Sequence, residues 1–319
     1  MVTRRQFLAG AGAALAMAAL PAMAAEPRLL SGRAFGTRWR VTLPRGADDA
    51  LAGELSALLA EVDASMSPFR ADSEITRFNR SGATGWRQAS PGMCDVAGAA
   101  LDIARLTGGA FDPSVGPAVH RFGFGPVQGA MTGSYRGIEA GEAALSKSEA
   151  GLSLDLCGIA KGHAVDRLAA HLAARGHGDF LVDIGGDMRA AGRGPHGRAW
   201  RLGIEDPLAG GARRKVELAG EALATSGDAI HAYELNGRRY SHTIDPATGE
   251  PVLNAVASVS VIAPDAMRAD ALATALMVMG PQKGLAFADA NAIPAFFLLR
   301  EEGGLREAAN GLFLARLIA

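Results

Sequence analysis

Residues 154–186 read LDLCGIAKGHAVDRLAAHLAARGHGDFLVDIGG. An apolar stretch from Leu154 ends in Gly158 and reads as a strand. A helix is expected from about Ala160 to Ala174, with Val165, Leu168 and Leu172 turned inward and Gly176 as its stop. Phe180 to Ile184 is a short buried strand closed by Gly185-Gly186. Outward from this unit, Arg38 to Leu43 alternates as a strand, and Leu51, Leu55, Leu58, Leu59 and Val62 place a helix starting near Asp48 and Asp49. Residues 93–107 form an amphipathic helix closed by Gly108-Gly109. Trp200 to Ile204, Ser258 to Ile262 and Ala295 to Leu299 read as strands. A last helix follows Pro264, from about Met267 to Met279, and stops at Gly280. Helices and strands interleave with short turns between several strands, which makes the fold α+β with a mixed sheet. No linker and no repeat of 20–50 residues separates the parts, so any two lobes are intimately joined.

The chain has 319 residues, 32 Lys+Arg against 33 Asp+Glu, a formal charge of −1 and 49% hydrophobic residues. That apolar content suffices for a core, and the length suits roughly two domain-sized units. The near-neutral balance leaves no basic footprint, so no nucleic acid is expected as partner. Cys94 and Cys157 make neither a disulfide framework nor a CxxC metal motif.

Residues 3–8, TRRQFL, carry the paired Arg4 and Arg5 and lead into an apolar run from Leu8 to Leu20. The run is short for a membrane-spanning helix, which needs about 20 residues. Ala22-Met23-Ala24 offers the small residues a signal peptidase accepts, so residues 1–24 read as an export signal cleaved before Ala25. The adjacent arginines resemble a twin-arginine signal; a plain Sec signal fits the same segment. No Cys follows the run, so no lipid anchor is expected, and residues 25–319 read as a soluble exported chain.

Several stretches carry candidate chemistry. Gly192 to Gly197 matches GxGxxG, but Pro195 sits inside it and a strand-like segment follows, so a hairpin turn is expected there, not a dinucleotide loop. Asp155 to Gly162 brings a Gly to a helix start, where free N–H groups and Lys161 suit an anion; an ordinary turn with a solvated Lys reads equally well. Asp270 and Thr274, four apart on one helix face, offer the oxygen ligands that Mg2+ prefers, or else a capping Asp and a Thr bonded to its own helix. His242, beside Asp245 and a Pro/Gly turn, is a candidate general base or a surface His. Gly108 to Pro113 is a loop shaped around a flat ligand or a plain helix exit.

In order, Phe35-Gly36-Thr37, Met66 to Phe69 with Ser73 to Ile75, Gly109 to Val115, Asp155 to Gly162, Val182 to Gly186, Ala224 to Asp228, His242 to Gly249 and Ala269 to Gly280 resemble the signature blocks of the ApbE family, the Mg2+-dependent FAD:protein FMN transferases. The blocks span about residues 35 to 280. The resemblance implies a two-lobed architecture with largely antiparallel sheets packed with helices. It implies that FAD is the substrate, that a Thr or Ser hydroxyl of a target protein takes FMN, and that AMP leaves. Asp270, Thr274 and the Ala160 carbonyl would ligate Mg2+, and Lys161 would steady the phosphates. His242 would accept the hydroxyl proton or orient the diphosphate. Phe35, Phe69, Ala110, Phe111, Asp112, Cys157, His163 and Ile244 match FAD-contact positions. Phe35 stands where Met is usual, His163 where Tyr is common and Cys157 where Ser is frequent. The implied partner is a flavin-accepting subunit of an electron-transport complex, with membrane contact only through that partner, and the implied location is the periplasm. A twin-arginine signal without a lipid anchor is most similar to the family member that accompanies nitrous oxide reductase. A Mg2+-dependent FAD pyrophosphatase would use the same residues, and an exported FAD-binding assembly factor would need the pocket alone.

Overall fold

The computed structural model describes residues 27–318 apart from 45, 47–48, 130–133, 229–231 and 236–237. The expected export signal at 1–24 lies outside the described residues. At the centre is an eight-stranded sheet. Its strands are β1 (Arg28–Ala34), β2 (Thr37–Leu43), β3 (Phe180–Ile184) and β4 (Asp187–Ala191), then, beyond β5 (Trp200–Glu205) and β6 (Ala212–Leu218) of another sheet, β7 (Ala222–Gly227), β8 (Val256–Ala263), β9 (Ala295–Glu301) and β10 (Gly304–Ala309). The order across the sheet is β1-β2-β3-β4-β7-β8-β9-β10. Every neighbouring pair is antiparallel, so the α+β expectation holds and the sheet is antiparallel throughout rather than mixed.

The helices are α1 (Leu51–Met66), α2 (Glu74–Arg80), α3 (Pro91–Leu106), α4 (Gly116–Arg121), α5 (Ala160–Ala174) and α6 (Ala266–Ala290). α1, α5 and α6 cover one face of the sheet, where Val41, Val182, Ile184, Val259 and Val261 meet Leu55, Leu168, Leu172 and Leu276 in the main core. The opposite face packs on β5 and β6 through a second cluster that includes Ala190, Trp200, Leu202, Val216, Phe296 and Phe313. β8 lies between both layers, and all its residues are buried. A strand covered on both sides loses its polar alternation, which is why VASVSVIA reads as a near-continuous apolar run.

Two expectations are corrected at this level. Gly280 does interrupt the last helix, with φ +74 and ψ 176, but a further helical stretch runs to Ala290 because Pro281 is well suited to a first helical turn. The turn at 192–197 does not close a hairpin. It links β4, which pairs with β3 and β7, to β5, which pairs with β6 in a different sheet. Among the described residues no helix is long and apolar enough to cross a membrane.

Candidate active site

α5 is entered from segment 152–156, which the sequence reads as a strand and the structure shows as extended chain without a strand partner. The Leu154 N–H donates to Asn79 Oδ1 at 2.7 Å, and its carbonyl accepts from Asn79 Nδ2 at 2.8 Å. The Asp155 N–H donates to the Pro113 carbonyl at 2.7 Å. A side-chain amide and a loop carbonyl thus replace the ladder, while Leu152, Leu154 and Leu156 stay buried.

The helix that follows crosses α6 at Gly162. A Cβ there would stand 2.3 Å from the Ala266 carbonyl oxygen and 2.7 Å from Met267 Cα, so only glycine permits this approach. One turn further along α5, Asp166 accepts the Ala266 and Met267 N–H groups at 3.0 and 2.9 Å and caps α6. This crossing carries Asp270, one turn into α6, back to the Gly162 N–H, which donates to Oδ2 at 3.0 Å. Thr274 follows one turn later, its Oγ1 3.2 Å from Ser226 Oγ of β7. Gly158 lies against both Phe111 and Thr274; a Cβ there would be 3.2 Å from Phe111 Cε2 and 3.2 Å from Thr274 Oγ1.

Across the cleft, Lys161 Nζ is 3.0 Å from Asp187 Oδ2. Asp187 opens β4 and is only 1% exposed, and neither of its oxygens receives a hydrogen bond of good geometry. Burial and the like charge of Asp187 push Asp270 up to about 8, against the pull of Lys161 and the Gly162 N–H. Burial also raises Asp187, opposed chiefly by Lys161. Desolvation would lower Lys161, but Asp187 and Asp270 outweigh it and hold the ammonium charged. Near neutral pH Asp270 therefore keeps a proton beside the Asp187–Lys161 pair, and a cation that displaced this proton would take up the negative charge left where little water reaches it.

The donors present are the Asp270 carboxylate and the Thr274 hydroxyl, with the Ala160 carbonyl at the start of α5 and the Asp187 carboxylate beside them on Lys161. All are hard oxygens, and the orphaned Asp187 oxygens mark the region as unsaturated, so the residues fit Mg2+. Among the described residues no group of three or more His, Cys, Asp or Glu side chains makes a self-sufficient cage. The helix start itself is less open to an anion than the sequence suggests. Ala160 and His163 donate their N–H groups to the Leu156 and Ile159 carbonyls, and Gly162 donates to Asp270. The Lys161 charge is therefore the stronger attraction for phosphate.

The other expected residues are placed as follows. Cys157 is exposed at the entry to α5, yet the protein packed around its thiol, then Asp155, raises it well above the ordinary range. Phe111 is buried and forms the wall behind Gly158, with half-buried Ala110 beside it. The Asp112 carboxylate accepts from Ser114 N and Oγ at 2.8 and 2.6 Å and from Tyr135 N at 3.4 Å, so it shapes its own loop. Phe35 sits at φ +52 with Gly36 at +73, in the tight turn between β1 and β2. That turn lies by the Gly185-Gly186 turn, since Gly185 donates to the Arg38 carbonyl at 3.1 Å. Phe69 is 69% exposed and borders a shallow depression with His120, Phe124 and Pro126. His163 lies about 200° around α5 from Lys161, away from the carboxylates. Burial, with help from Arg167, lowers it to about 4 and keeps it neutral.

Ile244 is buried in the short strand 244–245, and Thr243 beside it donates to Met277 Sδ at 3.5 Å, one turn beyond Thr274. The half-buried His242 is therefore near the same stretch of α6, with its ring edge-on to Phe124 at 6.3 Å. Phe124 in turn stacks on Tyr233, and Tyr233 on Tyr240, each pair 5.2 Å apart.

Sequence reasoning missed Asp187 and the use of Ser226. The signal for Asp187 is the register: the Gly185-Gly186 turn sets it opposite Ile184, on the buried face of the strand pair.

A profile of the ApbE family matches residues 35–297. The chain belongs to the ApbE family. It is 38% identical to the FAD:protein FMN transferase of Vibrio cholerae, over 91% of this chain and 92% of that one. It is 34% identical to the FAD:protein FMN transferase of Haemophilus influenzae, over 89% and 90% of the two chains. Among solved structures, the flavin transferase ApbE from Vibrio cholerae matches with a TM-score of 0.83 at 37% identity, covering 92% of this chain and 99% of that one. The apo flavinyl transferase ApbE of Pseudomonas stutzeri matches with a TM-score of 0.82 at 35% identity, covering 91% and 96%. The expectation of an ApbE member with the α+β fold of that family is thus met along most of the chain.

Proposed function

We propose that this FAD:protein FMN transferase moves the FMN half of FAD onto a Thr or Ser hydroxyl of a target protein with Mg2+, releasing AMP. The observation that carries the reading is the pair of buried Asp270 and half-buried Thr274, one turn apart on α6 and held against the α5 start by the Gly162 contact. With the Ala160 carbonyl they would hold Mg2+, which supplies charge neutralisation at a pyrophosphate as its P–O bond breaks. Lys161, kept charged by Asp187, binds the phosphates electrostatically. Phe111 walls the cleft, and Phe35 and Phe69 offer ring faces to the flavin or adenine. In the transfer, the target oxygen bonds to the phosphorus on the riboflavin side, and the bridging oxygen leaves with AMP. His242 takes the hydroxyl proton or orients the diphosphate. Phe124 fixes one edge of its ring.

We further propose that the chain works in the periplasm after export through the Arg4-Arg5 signal, on a flavin-carrying subunit of an electron-transport complex. The support for this is the sequence of residues 1–24 and the family's chemistry. The test is intact-mass spectrometry of a candidate periplasmic flavoprotein domain incubated with the protein, FAD and Mg2+. A gain of one FMN on a Thr or Ser, blocked by EDTA, is the expected result. FAD cleaved to FMN and AMP with no gain on any acceptor would replace transfer by hydrolysis. FAD bound but intact would leave a carrier.

A further inference from the structure

In the reaction as described Asp187 acts only through the Lys161 ammonium, yet its placement is costly. Its carboxylate is 1% exposed, neither oxygen is in a hydrogen bond of good geometry, and its contact is the Lys161 ammonium at 3.0 Å. A carboxylate buried this deeply is expensive to desolvate even when it is paired. Here it lies in one cleft with Asp270, whose Oδ2 is held by the Gly162 N–H next to Lys161 in the chain.

The charges explain the arrangement. A divalent cation at Asp270 and an ammonium at Lys161 repel each other at short range in a water-poor cleft. With Asp187 present and Asp270 ionised against the bound cation, the three side chains carry one surplus negative charge that the cation balances. With Asp187 neutral, the side chains sum to zero and the cation meets an unbalanced ammonium. Resting on the proposed Mg2+ site, we infer that Asp187 is a positioning residue: it is the counter-ion that lets the Lys161 ammonium and the divalent cation stand side by side, so that both face the pyrophosphate.

The charge cycle tests this without FAD or acceptor. Mn2+ binding to the full chain is followed by electron paramagnetic resonance for wild type, Asp187→Asn, Lys161→Met and the double variant, with thermal melts as the folding control. Asp187→Asn should weaken Mn2+ at least ten-fold, and Lys161→Met should tighten it. The double variant restores the net charge and should return to within about three-fold of wild type, a rescue that lost packing would not produce. A double variant as weak as Asp187→Asn would overturn the inference and make Asp187 a direct ligand. Unchanged binding in Asp187→Asn would make it a structural ion pair. No Mn2+ binding to the wild type would sink the metal site itself, and the inference with it, which separates that failure from the other two.

Discussion

Gly162→Ala tests whether the α5–α6 crossing builds the site. The added methyl carbon would sit 2.3 Å from the Ala266 carbonyl oxygen, 2.6 Å from its carbon and 2.7 Å from Met267 Cα, all backbone atoms that no rotamer change can clear. Relief needs roughly 1 Å of helix separation to reach ordinary van der Waals contact. Alanine in a helix gains about 1 kcal/mol over glycine. Overpacking costs about 1–3 kcal/mol, and weakening the Gly162 N–H bond to the Asp270 carboxyl costs about 0.5–1.5 kcal/mol more. The losses win, by about 2 kcal/mol, or about 4–8 °C in melting temperature for a domain of this size. The separation also carries Asp270 away from Lys161 and Ala160. A misplacement of about 1 Å is expected to cost on the order of 100-fold in transfer rate. Calorimetry and a Mg2+ titration of the transfer rate read both effects. Gly53→Ala in α1, where a Cβ meets nothing within 4 Å, is the control and should stabilise by about 1 kcal/mol. An unshifted melt with an unchanged Mg2+ half-saturation in Gly162→Ala would refute the claim that this contact places the metal-binding carboxylate.

Asp270→Ala removes a carboxylate that burial and Asp187 hold at about 8 but also leaves the Gly162 N–H without its acceptor, so the melting temperature should change little while Mg2+-dependent transfer is lost. Full Mg2+-dependent transfer in that variant would take Asp270 out of the metal site. Phe35 occupies φ +52, where glycine is at ease, so Phe35→Gly should leave stability unchanged or about 1 kcal/mol higher and weaken FAD binding in a flavin-fluorescence titration. Equal FAD affinity would make the strained turn a matter of folding alone. His163 is held near 4 in the fold against an ordinary 6.5, so the unfolded chain binds more protons between these values and stability falls as pH drops from 6.5 to 4, by at most about 3 kcal/mol. Urea unfolding at pH 7, 5 and 4 should show this slope, and His163→Gln should flatten it.

What the sequence could show depended on how local each cause was. The α5 helix is legible because Val165, Leu168 and Leu172 recur on one face and Gly176 ends it, and it is observed as Ala160–Ala174. The approach at Leu154 to Leu156 has a strand's apolar pattern because it is extended and buried. Its partner, however, is the amide of Asn79, which no pattern near residue 154 announces. The link at 192–197 looks like a hairpin because its turn residues are the same whether the next strand returns to the same sheet or starts another. Asp270 and Thr274 were readable as a pair because their spacing lies within one helix. Asp187 was not, because its meaning comes from the register of β3 on β4 and from Lys161 on another element.

The proposed pyrophosphate site sets two carboxylates against one ammonium, so ionising Asp270 there leaves a net negative charge that opposes the substrate. Lys161 cannot offset both Asp187 and Asp270 and also attract the phosphates. On the proposed Mg2+ reading a cation would turn the balance, and each of the two ligands would then lower the cost of the other. By linkage, the factor by which Mg2+ tightens FAD equals the factor by which FAD tightens Mg2+. Measured by titrating each ligand with and without the other, these factors should agree and exceed ten in the wild type. In Asp270→Ala both should collapse toward one, because the carboxylate that couples cation to cleft is gone. Strong FAD binding that is indifferent to Mg2+ would mean that the acidic pair acts on something other than the pyrophosphate.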